Sequence, residues 1–251
     1  MKREEIYGWI KDLPIVDWHN HLDIGAIAED RPFGSLYDVW VKPDPYKHRA
    51  MRICGEPERL ITGEASDAEK MAAWERTLPK LVGNPLYAWS QMEMEFLKAH
   101  PLETLTPKKL LKLLNVEYAS PCVGAGDAGK LKTVEDGKLK IAPSLRLNFG
   151  EKIPQETLER FDAAGCKVVD ISADEPGALA RETGTDELFA FAKRHGWTML
   201  LHLGAMRATS ARLRAAAGAA GGFAGMRAAC DPEPVAQFYG LFIVFRPDGF
   251  V

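Results

Sequence analysis

The chain has no run approaching the ~18 consecutive apolar residues of a membrane-spanning helix. It also lacks an apolar core after its opening residues, Met1-Lys2-Arg3-Glu4-Glu5, so neither a span nor a secretion signal is expected and the cytoplasm is the expected location. Cysteine is scarce. Cys54, Cys122, Cys166 and Cys230 are scattered without a C-x-x-C pair, which suits reduced thiols and argues against a disulfide framework. Charge of one sign is not in excess either: net charge is -3 and the pI about 6.1, so no broad basic footprint invites nucleic acid or an acidic membrane. A Walker A loop and a G-x-S-x-G elbow are both missing, which removes nucleotide hydrolysis and serine-esterase chemistry.

What remains is an ordinary globular composition, 46% hydrophobic and 27% charged, with ample material for a core. Residues 3–11 read as a short helix stopped by Pro14, and 15–22 as a strand. A long helical stretch follows. Ser66-Asp67-Ala68-Glu69 has the spacing of a capping box, and Thr106-Pro107 opens another helix with proline where a missing N–H costs nothing. Strands then alternate with helices: 116–122, 140–147, 166–172 and 198–203 read as strands, while 154–163 and 186–194 read as helices stopped at Gly165 and Gly196. Such alternation means a parallel sheet, in a barrel or a doubly wound fold. Residues 205–251 leave no room for three further strand–helix units of roughly 30 residues each, so about five strands are expected.

The most informative run is Asp17-Trp18-His19-Asn20-His21-Leu22 at the end of the first strand. Strand side chains alternate, so His19 and His21 point the same way and can offer two imidazole nitrogens to one metal ion; two ordinary polar residues at a strand end are the other reading. His202 lies near the carboxyl end of the fifth strand, the edge where parallel α/β folds bind ligands, although a buried hydrogen-bonded histidine also suits that place. Arg146 ends the third strand and Arg207 follows the fifth, where a guanidinium matches a carboxylate, although a surface arginine also suits either one alone. Gly124-Ala125-Gly126-Asp127-Ala128-Gly129 matches G-x-G-x-x-G but lacks room for the helix that would receive a pyrophosphate, so it reads as a flexible loop. His48, His100 and His195 read as surface or structural.

Several ordered runs resemble the uronate (glucuronate) isomerase family of the amidohydrolase superfamily. Besides 17–22 they are Leu36-Tyr37-Asp38-Val39-Trp40, Tyr46-Lys47-His48-Arg49-Ala50-Met51-Arg52, Ile61-Thr62-Gly63-Glu64-Ala65-Ser66, Gly83-Asn84-Pro85-Leu86-Tyr87, Pro143-Ser144-Leu145-Arg146, Gly165-Cys166-Lys167-Val168 and Leu201-His202-Leu203-Gly204-Ala205-Met206-Arg207. The resemblance implies a (β/α)8 TIM-barrel fold of the α/β class, incomplete here, spanning 1–225 with a helical insertion at 24–114 and an atypical tail at 226–251. It implies interconversion of D-glucuronate with D-fructuronate and of D-galacturonate with D-tagaturonate. His19, His21 and His202 would hold a divalent metal, zinc being the expected one. Tyr46 would handle a proton or orient the substrate, and Arg146, Arg207 and Arg52 would bind the hexuronate. A homo-oligomer is left open, and no nucleic-acid or membrane partner is implied.

The chain departs from that pattern at several places. Pro45 stands in Asp44-Pro45-Tyr46 where the family reads histidine, Ala88 and Ile171 each replace a histidine, and Cys122-Val123-Gly124-Ala125 replaces a Thr-Asp-Asp-Pro loop. The family's last third, with the aspartate of its eighth strand, has no counterpart, which suggests a truncated or frame-shifted product. An inactive remnant and another metal-dependent hydrolase or lyase of the superfamily therefore stand as alternatives.

Overall fold

The structure is a computed structural model and describes residues 2–148, 150–173, 186–206, 209–218, 223–226 and 242–245. In chain order the principal elements begin with α1 (Arg3–Ile10), β1 (Ile15–Asn20), α2 (Ile24–Glu29), α3 (Leu36–Trp40), α4 (Pro45–Ile53), α5 (Asp67–Thr77), α6 (Pro85–Ala99) and α7 (Pro107–Leu113). There follow β2 (Val116–Gly124), β3 (Val134–Asp136), β4 (Leu139–Ile141), β5 (Ser144–Asn148), α8 (Gln155–Ala163), β6 (Val168–Ala173), α9 (Asp186–His195) and β7 (Thr198–Leu203). Beyond them come β8 (Ala205–Met206), α10 (Ala211–Ala217), β9 (Gly225–Met226) and β10 (Phe242–Phe245). Two compact units divide the chain: 1–31, 107–205 and 226–251 form the first, and 32–106 with 206–225 the second. No helix among the described residues is long and apolar enough to cross a membrane.

The first unit is built on parallel pairing of β1 with β2, β2 with β5, β5 with β6, β6 with β7 and β7 with β10. Among the described residues these six strands run in parallel, and β4 is parallel to β2 as well, where about five strands were expected. The added one, β10, comes from the apolar run near the end of the chain, four residues long and too short for periodicity to identify. The stretch 140–147, read as one strand, is broken at Ala142-Pro143: β4 pairs with the first half of β2 and with β3 as an antiparallel hairpin, and β5 pairs with the second half of β2. Proline has no N–H for a ladder, so the break falls where the backbone must give up a donor. The Gly124–Gly129 run is a 3-10 turn at Ala125–Lys130 and not the flexible loop expected.

Alternation along three strands separates two faces. Leu145 and Leu147 of β5, Val169 and Ile171 of β6, and Met199, Leu201 and Leu203 of β7 join one buried apolar cluster with Leu158 and Phe161 of α8 and Leu188, Phe191 and Ala192 of α9. The helical residues recur at three- and four-residue spacing, which lines them along one stripe facing the sheet. Both helices end at a glycine with positive φ, Gly165 at 82° and Gly196 at 65°, conformations a side chain would resist. By the period of two, Ser144, Arg146, Asp170, Ser172 and His202 occupy the opposite face.

The second unit is helical. Each helix start is explained by its cap: Asp44 accepts from the amides of Tyr46 and Lys47, Asn84 accepts from Leu86, and Ser66 with Glu69 forms the expected reciprocal box. Its core gathers Tyr37, Trp40, Met51, Ile61, Trp74 and Leu78. The ammonium of Lys47, buried among them, is satisfied by donating to the Trp40 carbonyl at 2.8 Å and by Glu93 at 3.3 Å, with its charge 4.9 Å from the Trp40 ring centre.

Candidate active site

The polar face of the first unit converges on Asp170, whose side chain is 0% exposed. Pairing explains why. Arg146 lies directly beside Asp170 in the β5–β6 ladder, and Ser172 beside His202 in the β6–β7 ladder, so register alone brings the guanidinium, carboxylate and imidazole to one face. Arg146 donates to Asp170 Oδ2. His202 Nδ1 sits 2.6 Å from Oδ1, although not aligned as a directed hydrogen bond. His19 Nδ1, arriving from β1, is 3.9 Å from Oδ2. The Cys122 thiol of β2 donates to the same oxygen at 3.4 Å and lies 3.5 Å from His19 Nδ1, while Ser144 Oγ donates to the sulfur at 3.5 Å.

Burial and charge set the protonation states. Desolvation alone would raise the Asp170 carboxyl, but the His202 contact and the Arg146 guanidinium outweigh it and hold the group well below the usual carboxylate range. It stays an anion. Burial lowers His19 to about 4, against the opposing pull of Asp170, so its ring is neutral near pH 7 and free to use a lone pair. Burial likewise pushes the Cys122 thiol up to about 12.

The expected residues fall into three sets. His19, His202 and Arg146 meet at Asp170, and His21 stands next to His19 with ring centres 5.4 Å apart. Tyr46 and Arg52 both lie on α4 in the second unit; Tyr46 is 58% exposed, and Arg52 is held by Glu58 through two hydrogen bonds of 2.7 and 2.6 Å. Arg207 lies outside the described residues, as does most of the tail at 226–251. Of the other histidines, His195 stacks on Phe191 at 4.0 Å and meets Asp162 at 2.9 Å, and His48 is buried in the second unit, both structural positions. Cys54, Cys122 and Cys166 are free thiols, and Cys230 lies outside the described residues.

Sequence reading passed over Asp170 and Cys122. A signal existed for the first: a lone charged residue inside Val168-Val169-Asp170-Ile171, two before Ser172, breaks an otherwise apolar strand and marks its polar face. For Cys122 there was none, because its importance comes from β1 pairing with β2.

Donor chemistry at this face fits a divalent metal. Two groups of side chains bring their ligand atoms within 4.8 Å of one another: His19, Asp170 and His202, and His19, His21 and Cys122. Imidazole with carboxylate or thiolate is a donor set suited to first-row divalent ions, and His19 belongs to both groups.

In class, this is a mixed α/β protein whose mostly parallel sheet follows the TIM-barrel-like fold of the uronate isomerases. It overlays a uronate isomerase from Thermotoga maritima with a TM-score of 0.74 at 23% identity, covering 97% of this chain and 73% of that one. It overlays a glucuronate isomerase from Caulobacter crescentus with a TM-score of 0.72 at 16% identity, covering 96% of this chain and 70% of that one. The family model for glucuronate isomerase matches residues 2–115. That match includes His19, His21, Tyr46 and Arg52, whereas Cys122, Arg146, Asp170 and His202 lie beyond it.

Proposed function

We propose that this protein is a metal-dependent aldose–ketose isomerase acting on a hexuronate, interconverting D-glucuronate with D-fructuronate and D-galacturonate with D-tagaturonate. The observation that carries this reading is the gathering of His19, Arg146, Asp170 and His202 on the polar face of one parallel sheet, in a chain whose first 115 residues match the glucuronate isomerase family. The reaction moves a proton from C2 to C1 while the two oxygens exchange carbonyl and hydroxyl character. It needs a proton carrier, an electrophile at those oxygens and a cation for the carboxylate.

The residues divide that work. Asp170 stays ionised against Nδ1 of His202, and His202 is the residue assigned to carry the proton from C2 to C1. Arg146 uses part of its five-donor fork on Asp170 and offers the rest to the sugar acid. A divalent cation, zinc by expectation, held by His19 with either Asp170 and His202 or His21 and Cys122, would supply polarisation of the carbonyl oxygen. Tyr46 keeps the proton-handling role that the resemblance implies, and Tyr46→Phe tests it separately. A substrate role for Arg52 would require it to leave Glu58.

The test is turnover. Metal-loaded, monodisperse protein given D-glucuronate or D-galacturonate should form the matching ketose, followed by NMR or a coupled reductase, and His202→Gln should lower kcat by about 10²-fold or more. Absence of ketose with either sugar overturns the reading. The buried Arg146–Asp170 pair, which already neutralises the central carboxylate, favours a second reading in which the chain binds a uronate without turning it over. Calorimetric binding with no turnover would establish that one.

A further inference from the structure

We propose that the metal-holding set of this chain is His19, His21 and Cys122, with the sulfur of Cys122 as a ligand, and that the site therefore selects a thiophilic divalent ion such as zinc. The Cys122 Sγ to His19 Nδ1 separation is 3.5 Å. Zinc–sulfur and zinc–nitrogen bonds of about 2.3 and about 2.0–2.1 Å at a tetrahedral angle put the two donors about 3.5 Å apart, so the pair already has a ligand edge's length. One ligand atom each from His19, His21 and Cys122 lies within 4.8 Å of the others, the two rings being 5.4 Å apart centre to centre. His21 is exposed, so an ion held there would be reached from solvent.

The competing set has its carboxylate engaged. Asp170 Oδ1 and His202 Nδ1 are 2.6 Å apart, shorter than the roughly 3.4 Å between nitrogen and oxygen ligands of one tetrahedral ion, so these two atoms do not both bind it. Asp170 Oδ2 accepts from Arg146 and Cys122, so an ion on that carboxylate would sit against a guanidinium. Asp170 and His202 instead stay beside the metal as the carboxylate and proton-carrying imidazole of the proposed reaction. On coordination the thiol gives up its proton to solvent as the sulfur–metal bond forms, and no electron changes hands.

Cobalt reports the ligand directly. Metal-free protein titrated with Co2+ should develop a near-ultraviolet thiolate-to-cobalt charge-transfer band, lost in Cys122→Ser and His19→Ala and retained in Asp170→Asn. A cobalt complex without that band, a band that survives Cys122→Ser, or failure to take up cobalt each overturns the proposal. The unaltered protein supplies a second readout: zinc should suppress alkylation of Cys122 but not of Cys54, resolved by peptide mass spectrometry, and undiminished labelling of Cys122 with zinc bound also overturns it. Both measurements read the metal alone, so they stand apart from whether a uronate is turned over.

Discussion

Ser144 and Leu145 are neighbours in β5, both fully buried, yet they serve opposite faces of one sheet. Leu145 joins the apolar cluster under α8 and α9, and Ser144 hydrogen-bonds to the Ser120 carbonyl and the Cys122 sulfur beside the candidate active site. The same contrast repeats at Val169 against Asp170 and at Leu201 against His202. What separates stability from chemistry in this unit is a step of one residue along the strand. The helix-facing side is held by non-directional packing, whereas the other side is held by a charged network in which each member depends on its partners.

The largest expected effect is on the apolar side. Phe161 is 0% exposed, at the centre of the α8–sheet contact, and Phe161→Ala should cost about 3–5 kcal/mol, read as a shift in the urea midpoint. Binding of cobalt by whatever fraction stays folded should be unchanged. A loss under about 1 kcal/mol would mean that α8 does not seal this face.

The polar side should behave differently, because what matters there is pairing. Asp170→Asn leaves the Arg146 guanidinium without its counter-charge and should cost about 3 kcal/mol, toward the low end of what breaking a buried pair costs since Arg146 remains 23% exposed. Replacing both, Arg146→Met with Asp170→Leu, should restore most of that stability while destroying any uronate binding. If the double variant is no more stable than the single one, the pair is not an isolated electrostatic unit and the comparison between faces fails.

A smaller, pH-dependent effect follows from His19, whose folded value of about 4 lies below its ordinary 6.5. Between those values the unfolded chain binds a proton that the folded chain does not, so metal-free stability should fall as pH drops from about 6.5 to about 4 and level off below. His19→Gln should remove that part of the slope. Asp170 acts in the same direction at lower pH, its depressed carboxyl contributing stability above the ordinary carboxylate range that is lost on further acidification. Urea midpoints in a chelator across pH 4–7 check the first, and their continuation below about pH 4 checks the second.

These contrasts explain what could be read from residues alone. The strand–helix alternation, the glycine stops at 165 and 196 and the Ser66–Glu69 box are local signals, and each appears where expected. His19, His202 and Arg146 were found because they stand near strand ends in suggestive runs. Asp170 was missed because its role comes from register with Arg146 and from contact with His202, facts that exist only after strands pair. Cys122 depends still more on tertiary structure, since its partner His19 is 103 residues away. The fourth strand-end cation, Arg207, lies outside the described residues.

The finest test uses the neighbouring pair itself. Ser144→Ala removes the one hydroxyl proton shared between the Ser120 carbonyl at 3.3 Å and the Cys122 sulfur at 3.5 Å, and should cost about 1 kcal/mol, since a single neutral hydrogen bond contributes about that much net. Leu145→Ala, one residue on, should cost about 2–5 kcal/mol through the cavity it opens against α8 and α9. The two should also differ in kind. Ser144→Ala frees the Cys122 sulfur of a donor and should shift the cobalt charge-transfer band, while Leu145→Ala should leave the band in place in the folded protein. Equal costs, or a band shifted by Leu145→Ala and not by Ser144→Ala, would show that the two faces are mechanically one, because strain introduced under the helices would then be reaching the metal-holding side chains through the strand.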